Sequence, residues 1–253
     1  PLYHPVEAAE QVATLDVISG GKFILAPALG WRDFQFDAFG IPKTDRLGRF
    51  REVLEVMKKF WTQERVTHHG RYFDINDVPG SAPSMQKPYP RMYLAANLEK
   101  GVLRAARRAD GWLISSRSTL PTISDQTGLY RDAAKKAGKP GFISAWREMF
   151  VAESRQKAID IMRPHVEWMY RDRAALGHSR ELPEADRIDV PFDRILEGRF
   201  ILGSPEECIE EIEKYRELGV DELVLRCQWP GMPNEDSLRA LELFGEKVLP
   251  HYR

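Results

Sequence analysis

The stretch MYLAANLEKGVLRAARRADGWLIS, residues 92–115, decides the fold. Residues 92–96 form a short apolar run of the length of a buried strand, 98–109 read as a helix, and 111–115 as a second strand. Strand, helix and strand in so short a span is the unit in which a crossover helix joins parallel strands.

Towards the C-terminus the alternation repeats. Residues 122–137 read as a helix closed by Gly138, 145–152 as a strand, and 154–176 as a long helix in which Pro164 predicts a kink. Residues 183–198 are acidic and irregular. Ser204-Pro205-Glu206-Glu207 then opens a helix: Ser204 caps, Pro205 suits the first helical position, and Glu207 completes a capping box. Residues 222–227 form a further strand, and 236–248 the last helix.

Towards the N-terminus, residues 6–18 carry Val6, Ala9, Ala13 and Val17 on one helical stripe, and 22–29 read as a buried strand. Residues 45–63 are the clearest helix, with Leu47, Phe50, Val53, Leu54, Met57, Phe60 and Trp61 at three- and four-residue steps. Residues 66–78 suggest a small hairpin outside the main sheet, and 81–90 a proline-rich loop. The order predicts an α/β fold of parallel strands covered by helices. We read one domain over 1–253, with a hairpin and loop insertion at 64–90 and an irregular insertion at 177–203.

Composition narrows the function. The chain has 253 residues, 43% apolar and 30% charged, and a net charge of −1. That balance belongs to a globular protein rather than a disordered one. It lacks the basic excess that a nucleic-acid partner demands. The longest apolar run, 23–31, is too short to span a bilayer, which takes roughly 20 residues. Cys208 and Cys227 do not make a disulfide framework, and together with the lack of a signal peptide they point to the cytoplasm. The six histidines form no metal-binding pattern, and no GxSxG, P-loop or GxGxxG motif occurs.

Several segments carry a resemblance: His4-Pro5-Val6-Glu7-Ala8-Ala9, Leu15 to Phe23, Gly30-Trp31, Phe36 to Ile41, Glu52 to Trp61, Gln86-Lys87-Pro88-Tyr89-Pro90 and Ala109-Asp110-Gly111-Trp112. In this order they resemble the luciferase-like flavin-dependent monooxygenases, from His4 to Leu249-Pro250. The resemblance implies a TIM-type (β/α)8 barrel, of which the five strands match strands four to eight. The chain is then N-terminally incomplete, because Pro1 to Pro5 begins in mid-motif and strands one to three have no counterpart. The competing reading is a complete five-stranded doubly wound sheet.

Catalytic groups of such barrels sit at the C-terminal ends of the strands. The resemblance places a flavin phosphate at Asn97, Leu98, Lys100 and Gly101, where a helix start offers free N–H groups and partial positive charge; an ordinary Asn cap is the alternative. Some relatives use an Arg in strand four for the phosphate, where Leu29 stands here. Ala28, Gly30, Ala96 and Ser115 complete the expected cofactor set, the small residues giving room for a flat ring. His4, Trp31, Arg226 and Trp229 are candidates for contact with substrate or cofactor. His4 has a capping role as its alternative, and Trp112 packs. Arg147 and Arg226 are charges within apolar strands, so each has a partner or faces the mouth; Arg147 has Glu148 or Asp110 as a salt-bridge alternative. Arg226 is expected to point inward, away from the helix that ends near Gly219.

The resemblance implies reduced FMN as cofactor, with a deazaflavin coenzyme as the alternative, and a small organic substrate. A separate flavin reductase and a homo-oligomer are the implied partners, with no metal, nucleic acid or membrane. The reaction expected is a monooxygenation in which reduced FMN activates oxygen. Its rivals are hydride transfer by a deazaflavin enzyme on the same fold and a flavin-binding protein without turnover. The catalytic residues are not legible.

Overall fold

The computed structural model describes residues 1–252. The chain divides into two compact units, Pro1–Tyr93 and Leu94–Arg253, described separately below.

In the first unit, helix α1 (Pro5–Ile18) starts at His4, whose Nδ1 accepts from Val6 N–H at 3.4 Å. Its buried positions are Pro5, Ala9, Val12, Ala13 and Asp16. The expected stripe is therefore rotated: Val17 is 48% exposed, and Asp16 takes the inner position. Asp16 is satisfied there by Gln86, whose backbone N–H and side-chain amide donate to its two oxygens at 2.9 and 2.7 Å. Strand β1 is only Ile24–Leu25, shorter than the expected 22–29. Pro27 explains the early end, since it has no N–H to continue a ladder. β1 pairs in parallel with the start of β4 (Arg91–Ala95) through Ile24 to Arg91 and Leu25 to Met92.

A short helix α2 (Asp33–Ala38) precedes α3 (Arg46–Thr62). α3 buries Phe50, Val53, Val56, Met57, Phe60 and Trp61, the expected face, and the Trp61 indole N–H reaches the Ala9 carbonyl at 2.9 Å. The expected hairpin is present as antiparallel β2 (Arg65–His69) and β3 (Asp74–Pro79). Glu52 of α3 fastens its turn by accepting from Tyr72 N–H and Phe73 N–H at 3.1 and 2.9 Å.

In the second unit the chain runs from the end of β4 through α4 (Glu99–Arg108), β5 (Gly111–Ile114), α5 (Leu120–Lys136), β6 (Phe142–Val151) and α6 (Arg155–Ala175). It continues through α7 (Phe192–Leu196), β7 (Phe200–Gly203), α8 (Pro205–Glu217), β8 (Glu222–Arg226) and α9 (Asn234–Leu243). α6 stays helical through Pro164. β7 was not expected: residues 200–203 fall in the stretch read as irregular, and a four-residue run is too short to carry periodicity.

β6 is the hub. Both β5 and β8 pair in parallel with its residues 144–145, so they lie on opposite edges. Both β7 and β8 pair with Glu148, so β5 and β7 follow one another along the same edge. α8 begins with the capping box read from the sequence: Ser204 Oγ accepts from Glu207 N–H at 3.3 Å, and Glu207 Oε2 accepts from Ser204 N–H at 2.8 Å. Gly203 precedes it at φ +140°, where a Cβ would sit 2.4 Å from that same Oε2.

Candidate active site

Two features of the second unit stand out, one directly after β4 and one between β6 and the end of β8. The first is the turn between β4 and α4. Leu98 is the extended cap residue, and no side chain caps the helix. The N–H groups of Glu99 and Lys100 therefore point out of the first turn, with the helix dipole behind them. Gly101 N–H does not join them, because it bonds to the Leu98 carbonyl at 2.8 Å. This corrects the expectation that the free donors extend to Gly101; its role is steric. A Cβ on Gly101 would lie 2.9 Å from the Ala96 Cβ, so only glycine lets the turn approach the strand end this closely.

Asn97 is not a plain cap. Its carbonyl accepts from Gln126 Nε2 at 2.9 Å, while its Oδ1 is buried without a protein partner. Trp112 is fully buried against Tyr130 and donates its indole N–H to the Ala96 carbonyl at 3.0 Å, a packing role as expected. Lys100 and Glu99 are exposed, Leu98 is half exposed, and Ala96 is half-buried.

The second feature centres on Glu148, which has no solvent exposure. Arg226 grips its carboxylate in a two-pronged bond, Nε to Oε2 at 2.7 Å and Nη2 to Oε1. Trp229 donates its indole N–H to Oε2 at 3.0 Å, and the Tyr170 hydroxyl lies 3.5 Å from Oε1. Burial, and then the negative charge of Glu148, push the Tyr170 phenol well above its usual range. Burial also lowers the Arg117 guanidinium, against the opposing pull of Tyr170 and Glu148. A buried carboxylate survives when its lone pairs are filled by charge-assisted bonds, and here four oxygen contacts do so.

Arg147 departs from its expected partners. Neither Glu148 nor Asp110 holds it. Its Nη1 donates to the carbonyls of Ser115 and Trp146 at 2.7 and 3.0 Å, and its guanidinium lies 4.9 Å over the Tyr215 ring. The reason is strand geometry: successive residues point to opposite faces, so Arg147 turns towards α8 and Glu148 away from it. Arg226 shares Glu148's face by register, opposite α8 as expected, but with a partner on the neighbouring strand that the sequence reading did not name.

Trp229, a candidate for contact with substrate or cofactor, is instead 2% exposed and packs beside Phe150 in the core. Ser115 is half-buried and its Oγ accepts from Arg117 N–H at 3.3 Å. The remaining candidates lie in the first unit. His4 caps α1 and meets Phe73 edge-on. Ala28 is exposed. Gly30 adopts φ +74° and offers its carbonyl to Arg46, while the Trp31 carbonyl accepts from Lys43 at 2.7 Å. Tyr170, within a long helix, carries no sequence signal that marks it for this cluster. Glu148 was visible as half of an Arg-Glu pair inside an apolar strand, and Arg226 and Trp229 as candidates at the end of another. Among the described residues no group of three or more His, Cys, Asp or Glu side chains is placed to hold a metal ion, and no helix is long and apolar enough to cross a membrane.

A helix start directly after β4 and a charged pair that reaches the last residue of β8 lie where (β/α) barrels carry their functional groups, and the fold is that of a partial (β/α) barrel. The luciferase-like monooxygenase family model matches residues 1–222, and the chain belongs to that family of oxidoreductases. The structure is similar to that of monooxygenase RslO1 from Streptomyces bottropensis, with a TM-score of 0.87 and 27% identity over 100% of this chain and 75% of that one. It shares its fold with the oxygenating constituent of 3,6-diketocamphane monooxygenase of Pseudomonas putida, solved with FMN, at a TM-score of 0.78 and 18% identity, covering 98% and 76% of the two chains. The F420-dependent glucose-6-phosphate dehydrogenase of Nakamurella multipartita is 27% identical over 99% of this chain and 74% of its own length.

Proposed function

We propose that this protein is a flavin-dependent monooxygenase, in which reduced FMN activates oxygen to oxidise a small organic substrate. The observation that carries the reading is the first turn of α4. Its uncapped N–H groups at Glu99 and Lys100 suit a phosphate, and the buried, unpartnered Asn97 Oδ1 is an acceptor suited to a hydroxyl of the adjoining ribityl chain. The flavin supplies the redox chemistry when bound. The chain's part is to anchor the phosphate at the β4 end, to leave room beside Ala96 for the attached group, and to keep water away with its buried aromatic residues. The likeness to a monooxygenase over the whole chain supports oxygen, rather than a second carbon centre, as the electron acceptor.

A second reading is hydride transfer by a deazaflavin coenzyme, favoured by the dehydrogenase relative and by Leu29 where some relatives carry an Arg. Reduced FMN then comes from a separate flavin reductase only under the first reading. We also infer a cytoplasmic homo-oligomer, checked by light scattering of the purified chain. Titration with FMN and with the deazaflavin, followed by oxygen uptake, separates the readings. FMN binding with oxygen uptake above that of free reduced flavin supports the first. Deazaflavin binding with substrate-dependent oxidation and no oxygen uptake supports the second. Binding without turnover leaves a flavin carrier, and no binding of either coenzyme sinks all three.

A further inference from the structure

The face of β6 and β8 that turns away from α8 carries a feature that the phosphate site does not use. Trp146 and Val224 are register partners, as are Glu148 and Arg226, so these four side chains share that face. Val224 is 44% exposed and Trp146 half-buried, an apolar floor two residues before Arg226 and Glu148 on their strands. Arg226 lies over the Trp146 ring at 5.0 Å from its centroid. Its Nε and Nη2 are held by Glu148, and its Nη1 has no protein acceptor among the described residues. Carboxylate and indole thus lock the guanidinium in one pose and leave its outer edge free beside the floor.

The buried Arg117 lies in the field of both Glu148 and Arg226, and its Nε has no protein acceptor. A guanidinium edge recognises carboxylates by directional, charge-assisted bonds, and a pre-positioned one loses little entropy in doing so.

We propose that Arg226 receives the carboxylate of an organic acid whose apolar body lies on Trp146 and Val224. That this acid is the substrate rests on the oxidoreductase reading above; that it binds does not. The test is calorimetric titration of the full chain with benzoate and with its neutral counterpart benzamide, alongside FMN. Benzoate is expected to bind at least about tenfold more tightly than benzamide, the effect of one charge-assisted hydrogen bond, with the preference shrinking as salt is added. Arg226→Leu should abolish the preference while leaving FMN affinity unchanged.

Equal binding of benzoate and benzamide to the parent protein overturns the proposal. So does a preference that survives Arg226→Leu, or a variant that loses FMN and keeps benzoate, which would assign Arg226 to the cofactor. If Arg226→Leu does not fold, Arg226→Lys decides: it keeps the charge and loses the fork, so benzoate should weaken by about threefold or more, and unchanged affinity refutes the claim. Failure of the parent protein to bind either coenzyme counts against the flavin reading alone, because the benzoate comparison needs no coenzyme.

Discussion

Glu148 and Arg226 face each other in register across two parallel strands, and the carboxylate of one takes two N–H groups of the other. The pair is buried on the Glu148 side and partly exposed on the Arg226 side. Such pairs contribute little net stability when intact, yet they are costly to break from one side, because the remaining charge loses its partner and stays desolvated.

The first prediction follows from that asymmetry. Glu148→Ala should destabilise the second unit by about 3–5 kcal/mol, since Arg226 and the Trp229 indole N–H both lose their acceptor. Replacing both Glu148 and Arg226 by Met should recover a large part of the loss. Urea unfolding followed by tryptophan fluorescence reads both. A double variant no better than the single would show that packing, not the orphaned charge, sets the cost.

The second concerns Gly101. A methyl group there would press on the Ala96 Cβ and push the first turn of α4 away from β4. Gly101→Ala should cost about 1–3 kcal/mol, as overpacking does, and Gly101→Val more. Both should weaken FMN binding if the α4 turn holds the phosphate. A folded Gly101→Val protein that binds FMN as well as the parent would move the phosphate elsewhere.

The third concerns pH and Glu52 in the first unit. Burial alone would raise its carboxyl, but the N–H groups of Tyr72 and Phe73 and the contact with His68 outweigh that and hold it below its ordinary value of 4.5. A group depressed on folding stabilises the fold above its unfolded value, and that contribution is lost as pH falls towards the folded value. Glu52→Ala should therefore cost about 1–3 kcal/mol at neutral pH, where two backbone donors are left unpaired. Part of that difference should disappear once pH falls below 4.5. Parallel unfolding curves at neutral and acid pH, differing by the same amount, would assign the effect to packing.

Much of the fold was legible because it rests on local signals. Helix α3 shows its buried face as three- and four-residue spacing, and α8 shows its start in Ser204, Pro205 and Glu207. These patterns need no knowledge of distant residues. β7 and the brevity of β1 were not legible for the opposite reason. Four residues and two residues carry no period, and their pairing partners lie far along the chain.

Of the candidate site, the α4 turn was readable from a strand followed at once by Asn97 and a helix, and the inward face of Arg226 from the two-residue alternation of β8. The sequence by itself determined which residues are charged within apolar strands and, for Arg226, which side of its strand it takes. Only the tertiary structure decided who answers those charges. Glu148 meets Arg226 across 78 positions and Trp229 across 81, while Arg147, one residue from Glu148, turns to backbone carbonyls and an aromatic ring instead. Side-chain direction follows from local geometry with period two, but the partner of a buried charge is fixed by strand order and register, which long-range packing sets.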